Sequence, residues 1–469
     1  MMKIAFVDLL HLYYDPHGIY ALAGALRNRD TRLFYLSSRR FSTIARQLQQ
    51  IQPDLICYSS FSATLPLYTA FDRTIKQSFS FTSVIGGPGP TFDWSAVRES
   101  TIDAICVGEG EYALPDFVHN GFVSTGNIFR RKDPFPERFY PLVDMDSLPF
   151  PDRSVVYRSD RLLRDSPSKQ FFSGRGCPYH CSYCFNHQFR RMFQGCGPLV
   201  RKKSVDYLLA EIKAVKKNYP LQELIFNDDI FILDKDWFGD FCRRYPREVG
   251  LPYTCNARAN LIDEEIAAGL RESGCQGVNW AIETGNEQLR NTVLRRNMTD
   301  EQIYEAAGWL KKYRIPFRTG NIIGLPGENI ARIQETISMN IRVRPNLGLA
   351  NIFIPFPGLK LTQYAMEQGC CRQPSISDLP KDYFSKSMLN FSPQEKKQIY
   401  KLFCLFPFFI QWPALFQRQV IRRLLLALPR TLLRLCYEPF YTVKMARLCI
   451  PRTPFHVRLR MARRHLKNL

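Results

Sequence analysis

Three cysteines lie close together in the chain and are the residues best suited to redox or metal chemistry. Cys177, Cys181 and Cys184 stand in the segment GRGCPYHCSYCFNH with the spacing C-x3-C-x2-C. Three thiolates on one loop can bind three irons of a cubane cluster and leave the fourth iron without a protein ligand. A structural zinc site needs four protein ligands, usually in two separated pairs, and the adjacent Cys370 and Cys371 are poorly spaced to complete one. Zinc stays open as the alternative.

Polar residues and glycines follow the cysteines at intervals, each close to the end of a predicted strand. These residues are Asp228 in FNDDIF, Asn256 and Arg258 in CNAR, Glu283 in AIETGNEQLR, and Gly320 and Gly324 in GNIIGLPGE. In a barrel of parallel strands the ligand binds at the carboxyl ends of the strands, which makes these residues candidates for a ligand site. Ordinary capping of loops and helices is the alternative for each of them.

A second group of small residues ends the strands predicted in the first 110 residues. The group comprises Ser59 and Ser60 after the third strand, Gly86, Gly87 and Thr91 in GGPGPT after the fourth, and Gly108 in GEGE after the fifth. Glycine-rich turns that open helices can bind a nucleotide-like ligand. Plain turn formation also explains glycines at these places. The spacing is not G-x-G-x-x-G, so it gives little support to a nicotinamide site.

The elements that carry these residues form two α/β units. Apolar runs at 3–10, 31–37, 53–60, 82–87 and 102–108 alternate with helical patterns. This alternation predicts a Rossmann-like (flavodoxin-like) domain with a parallel sheet over residues 1–125. Frequent prolines predict a linker over 126–165. Six more strands alternate with helices over 166–360, which predicts a partial (β/α)6 TIM-type barrel. Residues 361–469 are predicted as a basic, mainly helical C-terminal region.

The cysteine motif, with Tyr183 before its last cysteine and a predicted strand before the loop, resembles the radical SAM superfamily. The resemblance implies that Cys177, Cys181 and Cys184 bind a [4Fe-4S] cluster whose open iron chelates S-adenosylmethionine. Reductive cleavage of that cofactor to a 5′-deoxyadenosyl radical would need an electron donor such as flavodoxin or ferredoxin. The same resemblance assigns contacts with S-adenosylmethionine to Tyr183, Asp228, Asn256, Arg258, Glu283, Gly320 and Gly324.

The order of the motifs along the chain resembles the cobalamin-binding subgroup of that superfamily, over about residues 1–360. The first domain would then bind cobalamin through Ser59, Ser60, Gly86, Gly87, Thr91 and Gly108. The resemblance implies that the radical removes hydrogen from an unactivated carbon and that methylcobalamin methylates it. A non-methylating cyclase or rearranging enzyme is the alternative. His17 stands in a partial D-x-H-x-x-G motif, where it is either a cobalt ligand or a loop histidine.

Basic residues are concentrated at the carboxyl end. The 469 residues include 64 Lys and Arg against 43 Asp and Glu, a net charge of +21. Residues 401–469 hold 14 of the basic residues and one acidic residue, Glu438. Aromatic residues followed by basic helical patterns over 402–440 are typical of helices that lie on an anionic membrane surface. A helical cap packed on the barrel is the alternative.

Other features of the sequence bear on compartment and partners. The sequence shows no export signal, which predicts a cytoplasmic chain. Disulfides are rare in that compartment, so most of the 14 cysteines are expected to be free thiols. The basic segment 402–440 also predicts that the protein is located peripherally on the inner face of the membrane. The expected substrate is a small or lipid-like molecule. No recognisable RNA-binding module is present and no nucleic acid is expected, although a zinc-stabilised RNA-binding protein is the alternative from a different functional class.

Overall fold

The first of two parallel sheets lies in the N-terminal domain. The computed structural model describes residues 1–10, 15–27, 30–380 and 387–449, together with 453, 457 and 458. The strands of the first sheet are β1 (Met2–Asp8), β2 (Thr31–Ser37), β3 (Leu55–Ser59), β4 (Thr82–Gly86), β5 (Ala104–Cys106) and β6 (Ile128–Arg130). Their order is β2-β1-β3-β4-β5-β6, and only β6 is antiparallel to its neighbour. The order of the first five strands confirms the flavodoxin-like prediction.

Helices cover both faces of this sheet. They are α1 (His17–Ala25), α2 (Phe41–Ile51), α3 (Leu65–Ile75), α4 (Pro88–Arg98) and α5 (Ala113–His119). Along β1, Ile4 and Phe6 pack into one hydrophobic core, whereas Ala5 and Val7 pack into the other. Successive side chains of a strand point to opposite faces, so the continuous apolar run of β1 fills both cores at once.

The segment predicted as a linker is partly structured. Strand β6 lies within it and extends the first sheet, and two short helices follow, α6 (Ser154–Tyr157) and α7 (Arg161–Asp165). Arg153 is buried beside Asp15, with Nη1 of the arginine 3.4 Å from Oδ2 of the aspartate. Asp15 Oδ2 also accepts a hydrogen bond of 2.9 Å from the backbone N–H of Gln170. This segment therefore fastens the first domain to the second.

The second sheet confirms the predicted partial barrel. Its strands are β7 (Ser168–Phe171), β10 (Glu223–Phe226), β11 (Tyr253–Asn256), β12 (Cys275–Glu283), β13 (Phe317–Ile323) and β14 (Leu347–Ile352), all parallel and adjacent in that order. Between β7 and β10 in the sequence, β8 (Gly174–Arg175) and β9 (Arg201–Lys202) form a separate short antiparallel pair. The sequence patterns did not predict this pair.

The barrel helices begin where the sequence supplies capping side chains. They are α8 (Asn186–Met192), α9 (Val205–Asn218), α10 (Lys235–Glu248), α11 (Glu264–Glu272), α12 (Asp300–Lys312) and α13 (Ile330–Val343). From α9 onward, a side-chain oxygen of the residue before each helix accepts a backbone N–H of the first turn. The capping residues are Ser204, Asp234, Asp263, Thr299 and Asn329. Such caps satisfy N–H groups that have no partner within the helix.

The C-terminal region is helical as far as it is described. Its helices are α14 (Lys360–Glu367), α15 (Pro393–Gln411), α16 (Pro413–Gln417), α17 (Gln419–Ala427) and α18 (Arg430–Cys449). The aromatic residues of α15, Phe403, Phe406 and Phe409, are buried in one core with Ile323 and Ile352 of the barrel. These aromatic residues therefore do not contact a membrane, because the barrel covers them, and contact through the basic helices of 402–440 stays a prediction. The predicted region beyond 449 lies largely outside the described residues. Within the described ranges, every helix is too short or too polar to span a bilayer.

Candidate active site

A cavity of about 510 Å³ opens at the carboxyl ends of the barrel strands. Its walls include most of the residues predicted for the cluster and S-adenosylmethionine: Cys177, Cys181, Cys184, Tyr183, Asp228, Asn256, Arg258 and Gly320. Two others, Glu283 and Gly324, are not among the lining residues. The volume is in the range of sites for small molecules and cofactors. Parallel strands bring these residues together although they span over 140 positions in the sequence.

The three cysteines lie on the loop between β8 and α8, as free thiols facing one cavity. Burial raises the pKa of Cys184 to about 12, so a thiolate at this place needs a bound cation to stabilise it. Nowhere in the described ranges do three Cys, His, Asp or Glu side chains approach closely enough to bind a single metal ion. A cubane cluster takes each of three thiolates on a different iron, whereas a structural zinc site needs four protein ligands, so three cysteines on one loop fit the cluster better than zinc.

Arg258 places a buried positive charge beside the cysteine loop. Its Nη1 lies 3.8 Å from Sγ of Cys181, and its guanidinium carbon lies 3.7 Å from the centre of the Tyr179 ring. Its Nε donates to Oδ1 of Asn260 at 2.6 Å, and its Nη2 donates to the backbone oxygen of Arg296. The guanidinium is therefore fixed in orientation. Arg258 lines the cavity, as predicted, and its charge lies where it would stabilise a Cys181 thiolate that binds a cluster.

Glu283 lies behind the cavity wall and is held by two residues of that wall. The Tyr183 hydroxyl donates to Glu283 Oε1 at 2.7 Å, and Arg296 Nη1 donates to the Tyr183 hydroxyl at 2.6 Å. The same Nη1 lies 3.5 Å from Glu283 Oε1. Burial, followed by the Glu283 charge, raises the pKa of Tyr183 well above 10 despite Arg296, so the hydroxyl stays protonated.

Sequence reasoning missed Arg296, which belongs to the cavity wall. It is 7% exposed, and its Nη2 donates to the backbone oxygen of Ala281 at 2.6 Å. Its segment follows a π-helical turn, Leu289–Val293, and carries no motif that marks a ligand site. Tyr437 and Tyr441 of α18 also line the cavity and were likewise not predicted.

Asp228 and Asn256 hold strand ends together at the cavity floor. Asp228 accepts two hydrogen bonds from Ser173, at 2.5 Å from its hydroxyl and at 3.0 Å from its backbone N–H. The Asn256 amide donates to the backbone oxygen of Asp228 at 3.0 Å and accepts from Asn279 at 3.2 Å. Ser173 thus donates one hydrogen bond to each carboxylate oxygen, as the capping alternative expects, and the role of Asp228 toward S-adenosylmethionine stays a prediction.

The two glycines of the GNIIGLPGE segment lie in different places. Gly320 lines the cavity, with an added Cβ 3.5 Å from that of Ala281. Gly324 has a φ of +71° and faces Ile399 of α15, and its N–H donates to Oε2 of Glu328 at 2.6 Å. Gly324 thus forms a turn under the C-terminal region, away from the cavity wall.

The six small residues predicted for cobalamin come together at the carboxyl ends of β3, β4 and β5. The Thr91 hydroxyl donates to the backbone oxygen of Gly87 at 2.8 Å and accepts from the N–H of Gly108 at 3.0 Å. The N–H of Ser60 donates to the backbone oxygen of Gly86 at 3.0 Å. Gly87 has a φ of +96°, and a Cβ there would lie 2.9 Å from the Ser60 oxygen, so the turn requires glycine.

This turn abuts the cysteine loop across the domain junction. Phe92, next to Thr91, stacks on Phe185, next to Cys184, with ring centres 4.7 Å apart and planes at 25°. Gly108 lies against Phe193, whose ring would be 2.2 Å from a Cβ at that position. The carboxyl ends of the two sheets therefore face each other.

Ion pairs reinforce the same junction. Arg201 donates to both carboxylate oxygens of Glu109 at 2.8 Å, and Arg175 donates to Glu109 Oε1 at 2.8 Å and also to Glu111. Burial by itself would raise the pKa of Glu109, but the bonds from Arg201 and the charge of Arg175 lower it to about 2. Glu109 is thus a partly buried anion that ties the first domain to β8 and β9.

His17 is the first residue of α1, and its ring packs edge-on against Phe172 at a centre-to-centre distance of 4.7 Å. Burial and then the charge of Arg153 lower the pKa of His17 to about 3, so the imidazole is neutral. A neutral imidazole can bind a metal, and its role toward cobalt stays a prediction.

Two family models match the chain in the regions just described. The model of the B12 binding domain matches residues 5–118, and the model of the radical SAM superfamily matches residues 171–339. An uncharacterized methyltransferase of Pyrococcus horikoshii is 25% identical over 372 residues, covering 75% of this chain and 78% of that protein. The anaerobic magnesium-protoporphyrin IX monomethyl ester cyclase of Cereibacter sphaeroides is 25% identical over 388 residues, covering 76% of this chain and 61% of that protein.

A solved structure shares the fold. The radical S-adenosylmethionine methyltransferase TsrM of Kitasatospora setae, solved with cobalamin and a [4Fe-4S] cluster bound, superposes with a TM-score of 0.65 at 16% identity. The match covers 80% of this chain and 76% of TsrM. The cofactors that go with the two matched domains are a [4Fe-4S] cluster, S-adenosylmethionine and cobalamin. The radical SAM match therefore favours an iron-sulfur cluster over zinc at the three cysteines. The chain is therefore an enzyme in which a B12-binding domain precedes a radical SAM domain.

Proposed function

We propose that this enzyme is a cobalamin-dependent methyltransferase that methylates an unactivated carbon of a small or lipid-like molecule. When bound, the cluster and S-adenosylmethionine supply a 5′-deoxyadenosyl radical, and cobalamin supplies the methyl group. The curated relative named as a methyltransferase, which this chain matches over most of both lengths, supports the reaction class.

The observation that carries the proposal is the junction between the two candidate sites. The Phe92–Phe185 stack separates the glycine turn of the first domain from the cysteine loop of the second. Cofactors bound at these two sites would therefore lie close to each other, near the barrel cavity, as methylation of a carbon radical requires.

The chain's own residues prepare the cavity for charged and reactive groups. Arg258 provides a fixed positive charge beside Cys181 and offsets the negative charge of the thiolates. Tyr183 and Arg296 hold Glu283 in one orientation through the hydrogen bonds described above. Because these side chains are locked before any ligand binds, little reorganisation is needed when it does.

A cyclase is the second candidate, and the similarity to the magnesium-protoporphyrin monomethyl ester cyclase favours it. A cyclase would share the radical step but would add no methyl group to its substrate. The two candidates therefore differ in the product mass and in the fate of S-adenosylmethionine.

We also propose a cytoplasmic location with flavodoxin or ferredoxin as the electron donor. The cysteines among the described residues are all free thiols, in keeping with a reducing compartment. The reductive step needs one electron from outside the chain. Reconstitution with each donor and measurement of 5′-deoxyadenosine formation would test this part.

The first test is anaerobic purification with cobalamin supplied, followed by iron, sulfide and cobalt analysis. We expect about four irons per chain with one cobalt, and Cys181→Ala should lose iron and keep cobalt. In a second step, incubation with methyl-deuterated S-adenosylmethionine and a small-molecule extract should give 5′-deoxyadenosine, S-adenosylhomocysteine and a deuteromethylated product. Deoxyadenosine without S-adenosylhomocysteine would favour the cyclase, and iron without cobalt would contradict the methyltransferase.

A further inference from the structure

The large apolar side chains that are exposed to solvent are concentrated near the carboxyl end. Six of the eleven in the described part of the chain lie between positions 412 and 443. They are Trp412, Val420, Leu424, Leu432, Leu435 and Val443, whereas the remaining five are scattered between positions 1 and 200. Single exposed apolar residues are ordinary, but a cluster of them marks an interaction surface.

Helix α18 has two apolar sides. Leu433 and Tyr437 are buried against α15 on the inner side, in the core that includes Phe403 and Phe406. On the opposite side Leu432, Leu435, Pro439 and Val443 are exposed at spacings of three and four, which align them along the helix. We call the exposed side chains of α17 and α18 the outer surface. On α17, Val420 is 71% exposed and Leu424 is 64% exposed, one turn apart.

Arginines surround these apolar residues. Arg418, Arg423, Arg430 and Arg434 are exposed along α17 and α18, and the one carboxylate between 401 and 469 is Glu438. Glu438 accepts a 2.6 Å hydrogen bond from Arg434, so it offsets little of the remaining positive charge. Apolar side chains among cationic ones on short helices match the interface of an anionic bilayer, where leucines enter the acyl boundary and arginines meet phosphates.

We propose that the outer surface docks on an anionic phospholipid membrane. The charge complementarity selects this occupant over a second copy of the chain, because two copies of so basic a surface would repel each other. The aromatic residues of α15 are buried and take no part in this docking. The membrane contacts come instead from the exposed side chains of α17 and α18, which belong to the same region of the chain.

The position of α18 connects docking to the cavity. Tyr437 and Tyr441 line the cavity that holds the cysteine loop, while Leu435 and Val443 of the same helix face outward. Docking therefore brings one wall of the cavity to the bilayer. This step rests on the proposed function and names its substrate class as a membrane lipid. The docking itself does not depend on the reaction.

Co-sedimentation of the holoenzyme with vesicles tests the proposal. Vesicles of phosphatidylcholine with about 30% phosphatidylglycerol should bind the enzyme, phosphatidylcholine alone should bind it far more weakly, and raising the salt to about 0.5 M should release it. Arg418→Gln with Arg423→Gln should weaken binding about 25-fold, from about fivefold for each charge near the surface. Arg243→Gln, at an exposed position on α10, is the matched control and should bind like the wild type.

A second pair of variants tests the apolar contacts. The double variant Leu424→Ser with Leu435→Ser should bind vesicles at least tenfold more weakly. This factor corresponds to the transfer free energy of about one leucine side chain. Val123→Ser, at a position 59% exposed on the first domain, should not weaken binding. All variants should keep iron, cobalt and uncoupled 5′-deoxyadenosine formation, which separates loss of docking from failure of the proposed function. Absent binding to anionic vesicles, a dimer that the leucine variants dissociate, or tighter binding to RNA than to vesicles would each overturn the proposal.

Discussion

Arg258 should set the reduction potential of the cluster. Reduction adds a negative charge next to its guanidinium, which lies 3.8 Å from Cys181 Sγ, so the arginine favours the reduced state. At an effective dielectric constant of about 20, two unit charges about 4 Å apart interact by about 4 kcal/mol. Because the added electron is shared over the whole cluster, its mean distance is greater, and we expect about half of this energy. For a one-electron couple that corresponds to about 80 mV.

Arg258→Gln should therefore lower the midpoint potential of the reconstituted enzyme by about 80 mV and slow the reductive cleavage of S-adenosylmethionine. A potentiometric titration followed by electron paramagnetic resonance measures the shift. Arg258→Lys keeps the charge and should stay near the wild-type potential, although it loses the fork of hydrogen bonds. Equal iron contents would show that the cluster is intact in both variants. An unchanged or higher potential in Arg258→Gln, with full iron, would refute the reasoning.

Three further predictions concern stability and cobalamin. The pKa of Glu109 is lowered to about 2 in the folded protein. The ionised carboxylate therefore stabilises the fold at any pH above its ordinary pKa of about 4.5, and this contribution is lost as the pH falls toward 2. The free energy of unfolding in urea should fall between pH 7 and pH 4 in both proteins. The fall should be smaller in Glu109→Gln than in the wild type by about 1 kcal/mol, because the variant lacks this titrating carboxylate. Gly285→Ala places a Cβ 2.6 Å from the backbone of α13 and should lower the unfolding free energy by about 1–3 kcal/mol. Gly308→Ala on α12 is the control, because its Cβ meets no atom of another element within 4 Å and should not lower the unfolding free energy. Gly108→Ala should weaken cobalamin binding about tenfold in a spectral titration, because a ring lies 2.2 Å from the new Cβ. Gly121→Ala, also at positive φ but in open space, should bind as the wild type.

The features that could be predicted from sequence are those that local pattern determines. Parallel strands buried on both faces are continuous apolar runs, so β1 and its neighbours were evident, and so was their order once a doubly wound domain was assumed. Carboxyl ends of parallel strands meet at one edge, which is why Asn256, Arg258 and Gly320 could be placed on one cavity with the cysteines.

The features that could not be predicted depend on tertiary contacts. Arg296 reaches the cavity because a π-helical turn and a loop return it to Tyr183, and no spacing in the sequence encodes that return. Gly324 belongs to a motif that pointed to the cofactor, but α15 packs over its turn. The apolar segment of α15 is compatible with a core or with a membrane, and only its packing on Ile323 and Ile352 decides between them.

The two sheets owe their facing arrangement to buried charges as much as to apolar contacts. Asp15 pairs with Arg153 on one side of the junction, and Glu109 pairs with Arg175 and Arg201 on another. A buried pair such as Asp15–Arg153 gains little net stability over well-packed apolar side chains, but removing one partner leaves an unpaired charge at a cost of about 3–5 kcal/mol. The Glu109 pairs are partly exposed, so an unpaired charge there costs less. A different orientation of the domains would leave several such charges unpaired at once. We infer that these pairs select the one orientation in which Phe92 meets Phe185 and the glycine turn faces the cysteine loop.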